Sequence, residues 1–476
     1  MPVPPSIARR SRSGLCPKLL LIVLALASSV GCAYRSRSPG TRINYEESIG
    51  REFALEASGQ LRLMDEPEIL DFTRRVGERL SSHITGSPYS HKFFVIREPT
   101  MNAFAVPGGY IYVFAGLLST VRTEDELAGV LAHELNHVEG NHFIRGQKKL
   151  DVTNIATVAA TILAAALGGG EQAVAAGTLA QAVQMTTSLH YSREFEREAD
   201  RGAIPLMRLS GFDPQGISSL FHTFQDEARL NAADLPPYFY THPLPSERIY
   251  EVNSWINATP SSGAVRLDPI RGFDKARVTA KLRTQDEQTV ISEQEAEAMK
   301  APADARAQFL LGYLYLKLGN LPLATHYLEK AYQLDSRDPD HALYLGQAHH
   351  LAGRMKEARE MVSTACELDP SNVIAEVCLG DLLMQGGDRE KQQALFHFQR
   401  AATLDPRSSF AQSSLAMACG RLGQTGKSYF HLGLAYKNAG EYLRALHYFK
   451  KAVRQLDSSS PEAKQAQEEI KWMEGE

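Results

Sequence analysis

The sequence predicts a mostly helical α+β domain followed by an all-α solenoid of repeated helix pairs. Three observations carry this expectation. Residues 45 to 258 alternate helical periodicity with a few short apolar runs of strand type. From residue 307 onward the chain repeats itself. Between them, 259 to 306 bears Ser and Gly and then becomes charged, which reads as a connector with helical stretches. A chain of 476 residues exceeds what one core usually organises, so two folded units plus a processed end is the natural prior.

Residues 1–32 read as a secretory leader. A basic start precedes the apolar run Leu19 to Ala27, and small residues Ser28-Ser-Val-Gly lead to Cys32. Nine apolar residues are too few to span a bilayer. The ending resembles a bacterial lipobox, in which the cysteine is diacylated and becomes the mature N-terminus; Ser29 departs from it, standing where leucine is usual. Acyl chains on Cys32 would hold the protein at a membrane surface without crossing it, and ordinary signal cleavage is the simpler alternative. Removing the leader's four basic residues leaves 47 basic against 55 acidic, a formal charge of −8, with no basic footprint for nucleic acid. The five cysteines do not form a disulfide framework: Cys16 and Cys32 belong to the leader, and Cys366, Cys378 and Cys419 fall on apolar helical positions, where a thiol behaves as a small buried hydrophobe.

After a polar linker the first domain occupies 41–258. Lys92 to Ile96 and Tyr110 to Phe114 read as strands, and Pro107-Gly-Gly109 can turn the chain between two apolar strands. An edge strand there could pair with the backbone of an extended peptide; a plain core hairpin is the alternative. Thr123-Glu-Asp-Glu126 carries a capping box, so a helix starts there and continues through Leu127, Val130 and Leu131. On it His133 and His137 are four residues apart and share a face, close enough to bind one zinc ion, and Glu134 stands one step round, where it can reach a bound water. The HExxH pattern alone is also compatible with a solvated face carrying incidental histidines. Gly140 sits where the motif HExxHxxGxxH has its glycine, but that motif's last histidine would fall on Phe143, leaving His142 as a neighbour of the site or a surface residue.

A zinc site needs a third protein ligand, and Tyr191 to Asp200 supplies candidates. Glu196 and Asp200 lie four apart on one helical face; Glu194 and Glu198 share the same spacing, flanked by Arg193 and Arg197. Spacing does not choose between the pairs, and a salt-bridged solvent face would also fit. Between Asp151 and Arg193 the one charge is Glu171, and Thr153 to Gly170 is rich in alanine. These residues are weakly apolar, and Gly168-Gly-Gly170 breaks a helix, so helices packed over the site are expected rather than a membrane span.

The C-terminal region, 307–476, repeats with a period of 34 residues: Leu311-Gly312, Gly319, Ala324 and Ala331 recur as Leu345-Gly346, Gly353, Ala358 and Ala365. The next copy, from Leu379-Gly380, keeps phase with two residues inserted; the last, from Leu432-Gly433, follows a 19-residue excess that looks like an unpaired or degenerate repeat. The pattern resembles the tetratricopeptide repeat, whose stacked helix pairs bind extended peptides or partner proteins on a concave face.

His133-Glu-Leu-Asn-His137, the run Tyr191 to Asp200 and Met101-Asn-Ala-Phe-Ala-Val-Pro-Gly-Gly-Tyr110 together resemble the gluzincin peptidases of the HtpX and CAAX-prenyl-protease family. With a leader and C-terminal repeats, the likeness is to the family's periplasmic, BepA-like branch, and it covers nearly the whole mature chain. The resemblance implies a zincin-like metalloprotease domain, one zinc ion per chain held by His133, His137 and Glu196, Glu134 as general base, and Asp200 orienting a ligating histidine. It also implies a role for Thr241 to Arg248: His242 and Arg248 would approach the zinc and stabilise the oxyanion, or His242 would occupy the open position of a resting enzyme. The function so implied is a zinc endopeptidase of the bacterial cell envelope, periplasmic and lipid-anchored through Cys32. It would degrade or process misassembled envelope proteins recruited by its repeats. A chaperone-like adaptor acting on outer-membrane assembly machinery, with a latent protease site, is the second expectation. Prenyl-protein processing is disfavoured by the export signal and the lack of convincing spans.

Overall fold

The computed structural model describes residues 39–147, 192–230, 238, 242, 246–258 and 267–475. The leader with Cys32, the alanine-rich stretch from Thr153 to Gly170 and part of the run from Thr241 to Arg248 lie outside them. Among the described residues, no helix is long and apolar enough to cross a membrane.

The N-terminal part opens with helices α1 (Pro39–Gln60) and α2 (Pro67–Ser81), followed by strands β1 (Lys92–Ile96), β2 (Ala103–Val106) and β3 (Tyr110–Phe114). The sheet order is β1-β3-β2, with β1 parallel and β2 antiparallel to β3, so β2 lies at one edge. Gly108 and Gly109 take φ of +83° and +88°, the left-handed pair that a tight hairpin turn demands, and glycine adopts it without steric cost. Helices α3 (Ala115–Thr120), α4 (Glu124–Glu139) and α5 (His142–Gln147) follow, then α6 (Arg193–Leu209), α7 (Gln215–Leu230) and α8 (Ser246–Ala258).

Helix α4 starts where the capping box places it. The Thr123 hydroxyl accepts from the Glu126 amide at 3.2 Å, but Glu126 reaches one residue farther back than a standard box and accepts from Arg122 N at 2.7 Å. Along α4 every residue from Glu126 to Leu135 is buried, so this helix is the hub of the first core, with α2, α6 and α7 packed around it.

Helix α9 (Phe273–Thr284) lies in the connector and belongs to both halves. Its Ala276 and Ala280 enter the first core, while Val278 enters that of the first repeats. Helix α10 (Glu287–Lys300) completes the connector, and the solenoid runs through α11 (Ala305–Lys317), α12 (Leu321–Leu334), α13 (Pro339–Leu351), α14 (Met355–Leu368), α15 (Val373–Leu383) and α16 (Asp388–Leu404). It ends with α17 (Ser409–Arg421), α18 (Thr425–Asn438), α19 (Tyr442–Gln455) and α20 (Pro461–Glu474). The 19-residue excess in the repeat pattern falls on α17, a single helix set between complete pairs. The glycine of each Leu-Gly pair marks a close helix crossing: a Cβ on Gly346 would stand 2.6 Å from Val362 Cγ2. Cys366, Cys378 and Cys419 are free thiols packed among the repeat cores.

The solenoid curls around the first domain and fuses with it at its end. Phe94, Phe104 and Tyr112 of the sheet, Ile49 and Phe53 of α1, and Phe430, Tyr442, Phe449 and Met473 of the last helices form one continuous core. Burying each such aromatic contributes about 1.5–3 kcal/mol, so the sheet loses a covered face if the repeats leave. Earlier repeats grip α2 by charge. Arg74 pairs with Asp71, Glu78 and Asp405, Arg407 with Glu78 at 2.9 Å, and Lys317 with Glu68 at 2.7 Å. A cavity of about 850 Å³ remains between α2 and the repeats, edged by Arg75, His91, Lys275, Asp340 and Asn372. Helix α2 of the chain itself thus packs against the repeats, through Lys317, Tyr344, Asp405, Arg407 and Ser408.

Arg74 is 12% exposed and faces three carboxylates, one of them on the repeats. Arg74→Ala leaves those charges uncompensated and should cost about 3–5 kcal/mol of stability, read as a lower midpoint in urea unfolding; an unchanged midpoint would show that the charges do not join the two halves.

Candidate metal centre

Three helices bring the site together. His133, Glu134 and His137 come from the middle of α4, Glu196 and Asp200 from α6, and Arg248 from α8. Helix α6 begins where Ser192 accepts from the Phe195 amide at 3.3 Å. Its buried positions, Glu196, Ala199, Asp200, Ala203 and Met207, form one stripe facing α4. That stripe separates the two carboxylate pairs that spacing left open: Glu196 and Asp200 point inward, whereas Glu194 is exposed and Glu198 pairs with Arg145 at 2.9 Å on the rim. The helices cross closely because Gly202 has no side chain; a Cβ there would lie 2.0 Å from Asn136 Oδ1.

One potential ligand atom from each of His133, His137, Glu196 and His242 falls within 4.8 Å of all the others, and all four residues are buried. His133 Nε2 is 2.9 Å from His137 Nε2 and 3.3 Å from His242 Nδ1. Glu196 Oε1 is 3.3 Å from His137 Nε2 and 3.1 Å from His242 Nδ1. Zinc–nitrogen bonds of 2.0–2.1 Å in a tetrahedron set ligand atoms about 3.3 Å apart, so these spacings suit such an ion.

The donor chemistry also suits it. His133 Nδ1 is 2.9 Å from Asp200 Oδ1, so the carboxylate keeps a proton on Nδ1 and Nε2 is the nitrogen that a bound cation would deprotonate and take as its ligand. Asp200 is held in turn by Arg248, through Nε at 2.5 Å and Nη2 at 2.8 Å, while Arg248 Nη1 reaches Glu196 Oε2 at 2.7 Å. Phe221 lies under the guanidinium, 5.0 Å from its ring centre. Arg248 thus contacts two carboxylates of the cluster at once. Tyr238 stacks on His242 at 4.6 Å, and its carbonyl accepts from the His242 amide at 2.8 Å. Neither Phe221 nor Tyr238 stood out in the sequence, where an aromatic at helical spacing reads as core.

Burial and charge oppose each other throughout the cluster. Burial alone would raise Glu196 and Asp200, but His242 and Arg248 hold Glu196 well below the usual carboxylate range, and Arg248 with His133 holds Asp200 down. Burial likewise pulls His133 down, yet Asp200 and Glu196 outweigh it and lift the imidazole to about 9. His137 falls well below its ordinary value because burial and the His133 charge both act against its protonation. For Glu134 burial wins, and its pKa is raised despite the charges of His242 and His133. Glu134 Oε1 stands 3.5 Å from His242 Nε2, one step round the helix from His133 and His137.

Residues 73–256 match the family model described as Peptidase family M48. Tetratricopeptide-repeat models match 294–339, 309–373 and 426–455. The chain is 30% identical over 292 residues to a Vibrio cholerae serotype O1 protein named as a candidate beta-barrel assembly-enhancing protease, covering 60% of this chain and 58% of that one. It is 31% identical over 219 residues to the beta-barrel assembly-enhancing protease of Escherichia coli K12, covering 45% of this chain and 44% of that one. Similarity to the metalloprotease LoiP of the same bacterium is 28% over 183 residues, covering 38% of this chain and 69% of that one. The matched region thus spans about half the length of the first two relatives. Among solved structures, that of MamA is 19% identical, with a TM-score of 0.28 and coverage of 37% of this chain and 96% of that one.

Gly202→Val puts a branched side chain against Asn136 and should force α4 and α6 apart, at a cost of about 1–3 kcal/mol; thermal unfolding that matches the parent would show that the crossing tolerates bulk.

Proposed function

We propose, from a domain of Peptidase family M48 joined to tetratricopeptide repeats, that this chain is a zinc-dependent endopeptidase of the bacterial cell envelope. In this reading it acts on misassembled envelope proteins brought to it by the repeats. The carrying observation is the convergence of His133, His137 and Glu196 on one point with Glu134 beside them. The two relatives named for assembly of beta-barrels support the envelope setting. Export by residues 1–32 and lipidation at Cys32 complete the reading, with the mature protein at a membrane surface on the periplasmic side.

His133, His137 and Glu196 would hold the zinc, which, when bound, acidifies a water molecule and polarises the scissile carbonyl. The remaining work falls to the chain's own groups. Glu134, buried and with its proton affinity raised, takes the proton of the attacking water and returns it to the leaving amine. Asp200 keeps the proton of His133 on Nδ1, and Arg248 fixes Asp200 and Glu196 in place, so Arg248 positions the ligands. His242, with Nε2 on the Glu134 side, serves the oxyanion once its Nδ1 is free of the ligand cluster. Edge strand β2, its residues buried in the absence of substrate, would offer an extended peptide main-chain hydrogen bonds that do not depend on side-chain identity.

A second reading is favoured by one distance. His242 Nδ1 lies 3.1 Å from Glu196 Oε1, at the corner a catalytic site keeps for water. In that reading the resting site is latent and the protein acts chiefly as an assembly adaptor, with proteolysis released when His242 withdraws.

Hydrolysis of casein by zinc-loaded protein lacking residues 1–32 should fall about 10²–10⁴-fold in Glu134→Gln. Cleavage by the parent alone supports the peptidase reading, and none by either protein with zinc bound favours the adaptor. His242→Ala separates its two roles: a faster rate than the parent marks a plug, and an abolished rate marks the oxyanion partner.

A further inference from the structure

We propose that His142 is a positioning residue of the metal centre, one that fixes the ring of His137 through a Glu198–His142–His137 relay. The inference rests on the metallopeptidase reading above. His137 presents Nε2 to the ligand cluster, and its other nitrogen, Nδ1, lies 2.8 Å from Nδ1 of His142. One of these two atoms carries the proton. An imidazole that offers its Nε2 lone pair to a cation keeps its proton on Nδ1, so His137 donates and His142 accepts. The proton of His142 then sits on Nε2, which faces Glu198 Oε2 at 3.4 Å. This is the counterpart of the Asp200 contact to His133: both carboxylates come from α6 and both of those imidazoles from α4, and here His142 of α5 is inserted between them.

The surroundings are constructed around that ring. Asn141 adopts φ +51°, a left-handed conformation that non-glycine residues seldom take, and this folds His142 back beneath α4. Gly140 leaves room for it: a Cβ there would meet His142 Nε2 at 2.3 Å. Phe195 stacks on His142 with ring centres 4.7 Å apart and planes 7° from parallel. Arg145 closes the far side, bonding Glu198 at 2.9 Å and the Gly140 carbonyl at 3.0 Å, with its guanidinium 4.6 Å from the Phe195 ring. His142 is fully buried. An apolar ring would fill the same slot without the cost of burying two ring nitrogens, so packing alone does not account for a histidine. The relay also gives Glu198 a task that separates it from Glu196: one carboxylate faces the ion, the other orients a ligand through His142.

The test uses protein lacking residues 1–32, with zinc affinity measured by competition against a chromophoric chelator and Tm recorded on the metal-free proteins. His142→Phe keeps the stacked ring and removes the acceptor, and should weaken zinc binding about 10–100-fold with little change in metal-free Tm. His142→Asn places an amide oxygen near the position of Nδ1 and should recover most of the affinity. Zinc held by His142→Phe as tightly as by the parent, or lost equally from both variants, overturns the proposal. If His142→Phe does not fold, Glu198→Gln decides: that side chain is 47% exposed, and faster zinc dissociation supports the relay while an unchanged rate overturns it. A parent protein that binds no zinc fails the metallopeptidase reading itself, an outcome distinct from any difference among the variants.

Discussion

The buried guanidinium of Arg248 is the charge on which the centre depends. Glu196 and Asp200 are both withdrawn from water, and an unpaired buried carboxylate would take up a proton rather than remain charged. Arg248 reaches both at once, keeps them ionised, and pays for its own burial with their charges, which raise its already high pKa further. With Asp200 ionised, His133 keeps a proton on its outer nitrogen, and Nε2 is the atom it turns toward the cluster. A single fork-shaped cation thereby sets the protonation pattern of two carboxylates and an imidazole, a task for which a lysine's point charge is poorly shaped.

The same logic of buried charge joins the two halves of the molecule. Helix α2 lies inside the curl of the repeats, and its Glu68, Asp71, Arg74 and Glu78 meet partners on the solenoid. Beyond this band of charge, the outer face of the sheet shares one apolar core with the last helices of the chain. The peptidase-like domain therefore cannot be separated from its repeats without exposing Phe94, Tyr112, Tyr442 and Phe449 together. Through this shared core the orientation of the repeats relative to edge strand β2 is set by the fold and not by a linker.

Much of the architecture was legible in the sequence because it is written in local rules. The Leu-Gly repeats announce crossings where only glycine fits, Thr123 and Glu126 announce a helix start, and Gly108-Gly109 announce a turn that needs two left-handed residues. The i,i+4 spacing of His133 and His137 places both on one face whatever surrounds them. Other features depend on partners distant in the chain. Glu194 and Glu196 look alike in sequence, and the packing of α6 on α4 is what turns one outward and the other in. That Arg248 gives two of its nitrogens to Asp200, 48 positions away, is set by the packing of α8 and is not visible in either stretch of sequence. The repeats read as a surface for extended peptides or partner proteins, and nothing in their sequence shows that helix α2 packs against them.

The sequence by itself thus determined the periodic and the local: helix pairs, caps, the hairpin turn and the face of α4 that carries two imidazoles and a carboxylate. Each of these follows from backbone geometry within a few residues. Where spacing left two glutamate pairs open, tertiary structure decided which of them faces His133 and His137, what holds Asp200, why His142 lies under His137, and how the repeats pack on the first domain. Those outcomes turn on desolvation and charge between groups tens to hundreds of residues apart, and their balance is set only when the chain has closed around them.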